Sequence, residues 1–131
     1  MSLEPTVNEE IFLSLVRGFA FLRHRGYSGT RFGIDGPEPG FVMENPRRRR
    51  IVSIYYAGAV NVAINRKPRF LEFATEKSLG FGLHQVYPHF GSEDLSRHPQ
   101  AIDKIAAFMQ AHLLPVLDGE MWIDELLRRS P

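Results

Sequence analysis

The side chains best suited to chemistry cluster between positions 84 and 98, where His84, His89 and His98 are interspersed with Glu93 and Asp94. Imidazole and carboxylate groups in one segment can hold a divalent cation or move a proton near neutral pH. Their spacing, however, matches no established ligand pattern. His84 and His89 would point to opposite sides of a regular strand, and neither forms a four-residue pair on a helix. As the alternative to a protein-binding role, the segment 81–94 would form an aromatic pocket in which His84, Tyr87 and His89 are the polar groups of a small-ligand or metal binder or an enzyme. His24 and His112 fall near helix ends, where terminal carbonyls account for them.

A second constellation is the run Arg47-Arg48-Arg49-Arg50. Guanidinium groups present planar forks of donors that grip phosphates or carboxylates. On an extended strand, alternation would send Arg47 and Arg49 one way and Arg48 and Arg50 the other, which also guards a strand edge against aggregation. The formal net charge of the chain is only +1. That leaves little basic surplus for nucleic acid, so an acidic protein surface is the expected partner of these arginines.

Other motifs stop short of a catalytic signature. Gly26-Tyr27-Ser28-Gly29 lacks the residue between serine and the second glycine that a nucleophile elbow needs. Gly80-Phe81-Gly82 lacks the third glycine of a dinucleotide loop. No catalytic residue and no cofactor is assigned, and a binding role is favoured over an enzymatic one.

Composition frames these sites. The chain has 131 residues, 44% hydrophobic and 24% charged, and no cysteine. Disulfides and thiolate metal sites are excluded, and a cytoplasmic location is expected. No apolar run is long enough to span a bilayer, so no membrane association is expected.

The strongest structural signal is the stretch 51–65. Val52, Ile54, Val60, Val62 and Ile64 share one parity, whereas Ser53, Tyr55, Asn61, Ala63 and Asn65 share the other, as in a β-hairpin with one buried face. A three-residue loop Tyr56-Ala57-Gly58 would pair Ile54 with Val60 and Val52 with Val62. A two-residue loop would set Ile54 opposite Asn61 and split the apolar set between faces.

Thr6-Val7-Asn8-Glu9 has capping-box spacing, and Val7, Ile11, Leu15, Phe19 and Leu22 continue as a helical stripe to a glycine stop at Gly26. Strands are expected at Thr30–Ile34, Phe41–Glu44 and Phe70–Phe73. The span 75–92 reads as a packed irregular loop or a loop around one short strand, and Ser92–Leu95 as one helical turn. Ile102 to Leu117 predicts a helix that Pro115 kinks or ends, followed by a stop at Gly119 and a last helix containing Trp122, Leu126 and Leu127.

The whole chain 1–131 is thus expected to form a single α+β domain of two layers. An antiparallel meander of four to five strands would carry an N-terminal helix and two C-terminal helices on one face. The other face would present Tyr55 and Asn61 beside Arg47 and Arg49, and these four residues are the expected partner-binding set, since tyrosine and arginine anchor interfaces. Self-association through the same face is the alternative that needs no foreign partner.

The order of these features is similar to that of small uncharacterised bacterial α+β proteins. The likeness rests on Phe21-Leu-Arg-His-Arg-Gly-Tyr27, Pro39-Gly-Phe-Val-Met-Glu44, the strand pair Arg50–Tyr56 and Val60–Ile64, and Leu114-Pro-Val-Leu-Asp-Gly119. Among such proteins are immunity proteins that accompany polymorphic or contact-dependent toxins. The resemblance is one of layout and carries no residue assignments. It implies a non-catalytic inhibitor that sequesters a partner protein by shape and charge.

Overall fold

In the computed structural model, residues 7–33, 38–67 and 79–129 are described. They form an α+β fold with a five-stranded sheet in the order β1 (Ser28–Gly33), β2 (Gly40–Asn45), β3 (Arg50–Tyr56), β4 (Val60–Arg66) and β5 (Gly80–Gly82). Every neighbouring pair is antiparallel, which the short connections from β1 through β4 require. The expected strand at Phe70–Phe73 and the capping residue Thr6 lie outside the described residues.

The parity read from the sequence is the parity of the sheet. Val52, Ile54, Val62 and Ile64 are buried with Phe41 and Met43 from β2 and Phe81 from β5. The register differs from expectation by two residues: Ile54 faces Val62, Val52 faces Ile64, and Tyr56, expected in the loop, faces Val60. The loop is therefore Ala57-Gly58-Ala59, with Gly58 at its centre at φ 71°. Both strands run further because neighbours engage their last amides. Tyr56 N–H donates to Pro39 O at 2.9 Å, and Val60 N–H to Ser96 O at 2.9 Å. A slip of two preserves the faces, so the apolar pattern alone could not tell the two registers apart.

Helix α1 (Val7–Gly18) ends earlier than its stripe suggests and is followed by the short α2 (Phe21–His24). The chain tightens between them, with Ala20 N–H bonded to Arg17 O and Leu22 N–H to Phe19 O. This break falls where α1 meets α3 (Ala101–His112). A Cβ on Gly18 would stand 2.0 Å from the Ile102 side chain, so the helices can approach this closely only because position 18 has none. Gly26 and Gly119 provide the expected stops, at φ 92° and 75°.

Leu113 interrupts the long C-terminal helix, and Pro115 sits in the first turn of a separate short α4 (Leu114–Leu117), where its missing N–H costs nothing. Helix α5 (Ile123–Arg129) closes the described chain. Leu15, Phe19, Leu22, Ile105, Met109, Leu113, Val116 and Leu117 complete one core against the Val52/Val62 face of the sheet. Ser92–Leu95 is not helical. Asp94 instead accepts the Ser96 N–H at 2.9 Å and holds a non-helical turn.

Candidate functional site

The four arginines meet three different fates, because the chain between β2 and β3 is not extended. Asn45 accepts the Arg48 N–H through its side chain and caps a 3₁₀ turn over Pro46–Arg48, and Arg49 follows in the left-handed region at φ 55°. The expected strand alternation therefore fails before β3 begins. Arg47 is exposed at the turn, whereas the Cβ of Arg48 leans against Gly119. Arg49 is half-buried and carries the chain into the sheet.

Arg50 is 5% exposed and belongs to the core. Its Nε donates to Val116 O at 2.8 Å and its Nη2 to Met121 O at 3.2 Å, and its guanidinium lies 5.0 Å from the Trp122 ring centre. Arg66 stacks on the same indole at 4.8 Å. Trp122 thus clamps the C-terminal segment to β3 and β4, and the donors of Arg50 add to the hydrogen bonding of carbonyls at the end of α4 and before α5.

Residues of the other parity form the open face. Tyr55 and Asn61 are direct cross-strand partners there, flanked by Ser53, Ala63, Ile51 and Asn65. Three of its positions are glycines overlain by neighbours. The Tyr55 Cβ lies beside Gly40, the Asn65 amide covers Gly80, and the His84 ring covers Gly82. Tyr55 is 37% exposed. The Asn61 amide donates to Ala59 O at 2.9 Å, so part of its hydrogen-bonding capacity closes the hairpin turn rather than facing outward. Glu44 pairs with Lys67 across β3, near the β2–β3 connection. The basic end, with Arg47 and Arg49, lies at the β2–β3 connection.

The segment 81–94 does not bring its three expected polar groups together. Tyr87 is 2% exposed and packs edge-on against Phe108 at 4.9 Å. Its phenol is pushed well above the usual tyrosine range, first by burial and then by the Asp94 carboxylate. It is a core residue. His84 joins the margin of the open sheet face instead, and His89 is exposed on the turn Tyr87–Phe90. Asp94 is held below the usual carboxylate range, chiefly by hydrogen bonds from Ser96, with smaller contributions from His84 and Arg97. Among the described residues no group of three or more His, Asp or Glu side chains is arranged to hold a metal ion.

One feature that sequence reasoning missed is a groove of about 860 Å³ between α1, the hairpin turn and the start of α3. Its residues come from three stretches, each of which reads separately as an ordinary helix face or loop. Their proximity depends on the α1–α3 crossing at Gly18 and on the Val60–Ser96 hydrogen bond. Among the described residues, no helix is long and apolar enough to cross a membrane. No family model matches the chain, and neither a curated protein nor a solved structure matches it significantly.

Proposed function

We infer that this chain is a non-catalytic binding module for a protein partner with an acidic surface. The contact is the open sheet face around Tyr55 and Asn61, extended by Arg47 and Arg49. The observation that carries this reading is the relief of that face. Three of its positions are glycines overlain by Tyr55, Asn65 and His84, and Tyr55 stands 37% exposed near the hairpin end of the face. Open sheet faces with an aromatic anchor and charge at one end suit protein partners, whereas small ligands favour concave sites. The likeness in layout to immunity proteins of toxin systems makes a toxin the first class of partner to test. The burial of Tyr87 argues against a pocket built on 81–94.

The test is an affinity pull-down from the lysate of the native host, comparing the wild type with Arg47→Glu/Arg49→Glu and Tyr55→Ala. A stoichiometric partner retained by the wild type and lost by both variants, with melting temperatures unchanged, supports the reading. Retention undiminished by either variant removes this face from consideration. Recovery of the protein alone, with a doubled mass in light scattering, transfers the face to self-association.

A further inference from the structure

The groove between α1 and α3 lies apart from the open sheet face, and its lining has a definite chemical character. Val60 and Ala101 are buried at its floor, with Ile11, Gly18, Tyr56 and Ile102 half-buried beside them. Four charged side chains stand exposed around it: Glu10 and Arg17 on α1, and Arg97 and Asp103 on the facing wall. Among the described residues none of the four forms an ion pair with another. Two acids and two bases therefore surround one apolar floor without neutralising each other directly.

That combination narrows the ligand. A simple anion would meet Glu10 and Asp103, and a simple cation would meet Arg17 and Arg97. A neutral apolar molecule would strip water from four charges and return nothing to them. A ligand with an apolar body and one charge of each sign at its ends satisfies all of these conditions.

The spacing of the charges gives its size. Glu10 and Arg17 are two turns apart on one side of α1, about 10 Å along the helix axis. An extended tripeptide places its terminal ammonium and carboxylate about 10 Å apart. The volume of the groove, about 860 Å³, lies within the range of roughly 300–1,000 Å³ typical of small-molecule sites.

We propose that this groove binds short apolar peptides with both termini free, the carboxylate at Arg17, the ammonium at Glu10 and the side chains on the Ile11/Val60/Ile102 floor. His98 adds a donor to the groove. Its Nδ1 accepts the Gln100 N–H at 3.0 Å, so in the neutral imidazole the proton resides on Nε2.

Tri-leucine provides the probe, titrated by calorimetry against the full chain alongside its N-acetylated and C-amidated forms. The free peptide is expected to bind saturably, and blocking either terminus to weaken it about fivefold, the upper end for a solvent-exposed charge pair. Arg17→Ala should abolish the preference for the free carboxylate while keeping the preference for the free amine, and Glu10→Ala should do the reverse. Both residues are exposed, so both variants are expected to fold, which a thermal melt verifies. Absence of saturable binding at millimolar peptide overturns the proposal, as does equal binding of the free and blocked forms. Arg47→Glu/Arg49→Glu should bind tri-leucine as the wild type does, so failure of the sheet-face reading and failure of this one are distinguishable.

Discussion

Arg47 and Arg50 are the same residue three positions apart, yet one stands in solvent and the other is sealed beneath Trp122. The difference is created by the turn between them. Once Pro46–Arg48 forms a 3₁₀ turn and Arg49 takes a left-handed conformation, Arg50 enters β3 on the helix-covered side. There its donors meet the backbone carbonyls of Val116 and Met121. The same division runs through the whole sheet. Side chains on the covered face hold the fold together, whereas those on the open face are available for contact with another molecule. What decides a residue's role here is which face it occupies, more than its type.

The sharpest way to break this comparison is Arg50→Met, which keeps much of the side-chain length but removes every donor. Two carbonyls lose a charged partner, and the expected loss of stability is about 3 kcal/mol in urea denaturation. An effect below about 0.5 kcal/mol would place Arg50 with the surface arginines after all. Ile54→Ala and Tyr55→Ala form a matched pair of adjacent positions on opposite faces, 0% and 37% exposed. The first should cost about 3 kcal/mol through the cavity it leaves. The second should cost less, about 1 kcal/mol, since more than a third of the residue remains in water and no enclosed cavity is left behind.

A smaller effect, with a pH signature, separates the buried phenols from the exposed ones. Tyr27 is 3% exposed and its hydroxyl donates to Leu117 O at 2.7 Å, tying the start of β1 to the end of α4. Burial pushes its phenol well above the ordinary value of 10.0, and does the same for Tyr87. A group whose folded-state value is raised contributes stability that is fully present below its unfolded value and lost as the pH rises through the folded value. Stability should therefore decline from about pH 10 upward, as the unfolded chain releases two phenolic protons that the folded chain retains. Tyr27→Phe should cost about 1 kcal/mol at neutral pH through the lost hydrogen bond. Combined with Tyr87→Phe, it should also flatten the alkaline decline of the melting temperature. A decline as steep in the double variant as in the wild type would mean that other groups govern it.

These contrasts indicate which parts of the structure were legible from residue order. Alternation at Val52/Ile54 and Val62/Ile64 set the faces of the sheet, and glycines 26 and 119 marked helix ends, because periodicity and backbone preference are local properties. The register of the hairpin was not legible, since a two-residue slip keeps every side chain on its face and only the distant acceptors Pro39 and Ser96 distinguish the alternatives. Arg50 was hidden by its neighbours, because a run of like charges reads as solvated until a turn inside it changes the side. Tyr87 was misleading for a related reason. It lies among histidines in sequence, but a 3₁₀ turn directs it onto Phe108 while His89 faces water. The groove beside α1 was illegible altogether, since Glu10, Arg17, Arg97 and Asp103 come together only through tertiary packing.

The smallest expected change in stability is also the one that separates the faces most cleanly. Arg47 is exposed on the turn and lies outside the core cluster. Arg47→Glu should therefore leave the urea midpoint within about 0.5 kcal/mol of wild type, the usual range for a surface substitution. Its effect on a partner works through the field rather than through packing. Reversal of one rim charge should slow association and reduce the dependence of that rate on salt, while leaving dissociation nearly unchanged. Tyr55→Ala should do the opposite, raising the dissociation rate with little change in the salt dependence, because a desolvated aromatic anchor acts after contact is made. Stopped-flow binding at two ionic strengths reads both rates. If the two substitutions altered the same rate constant with the same salt dependence, the division of the open face into a steering end and an anchoring end would fall, even with the contact surface itself intact.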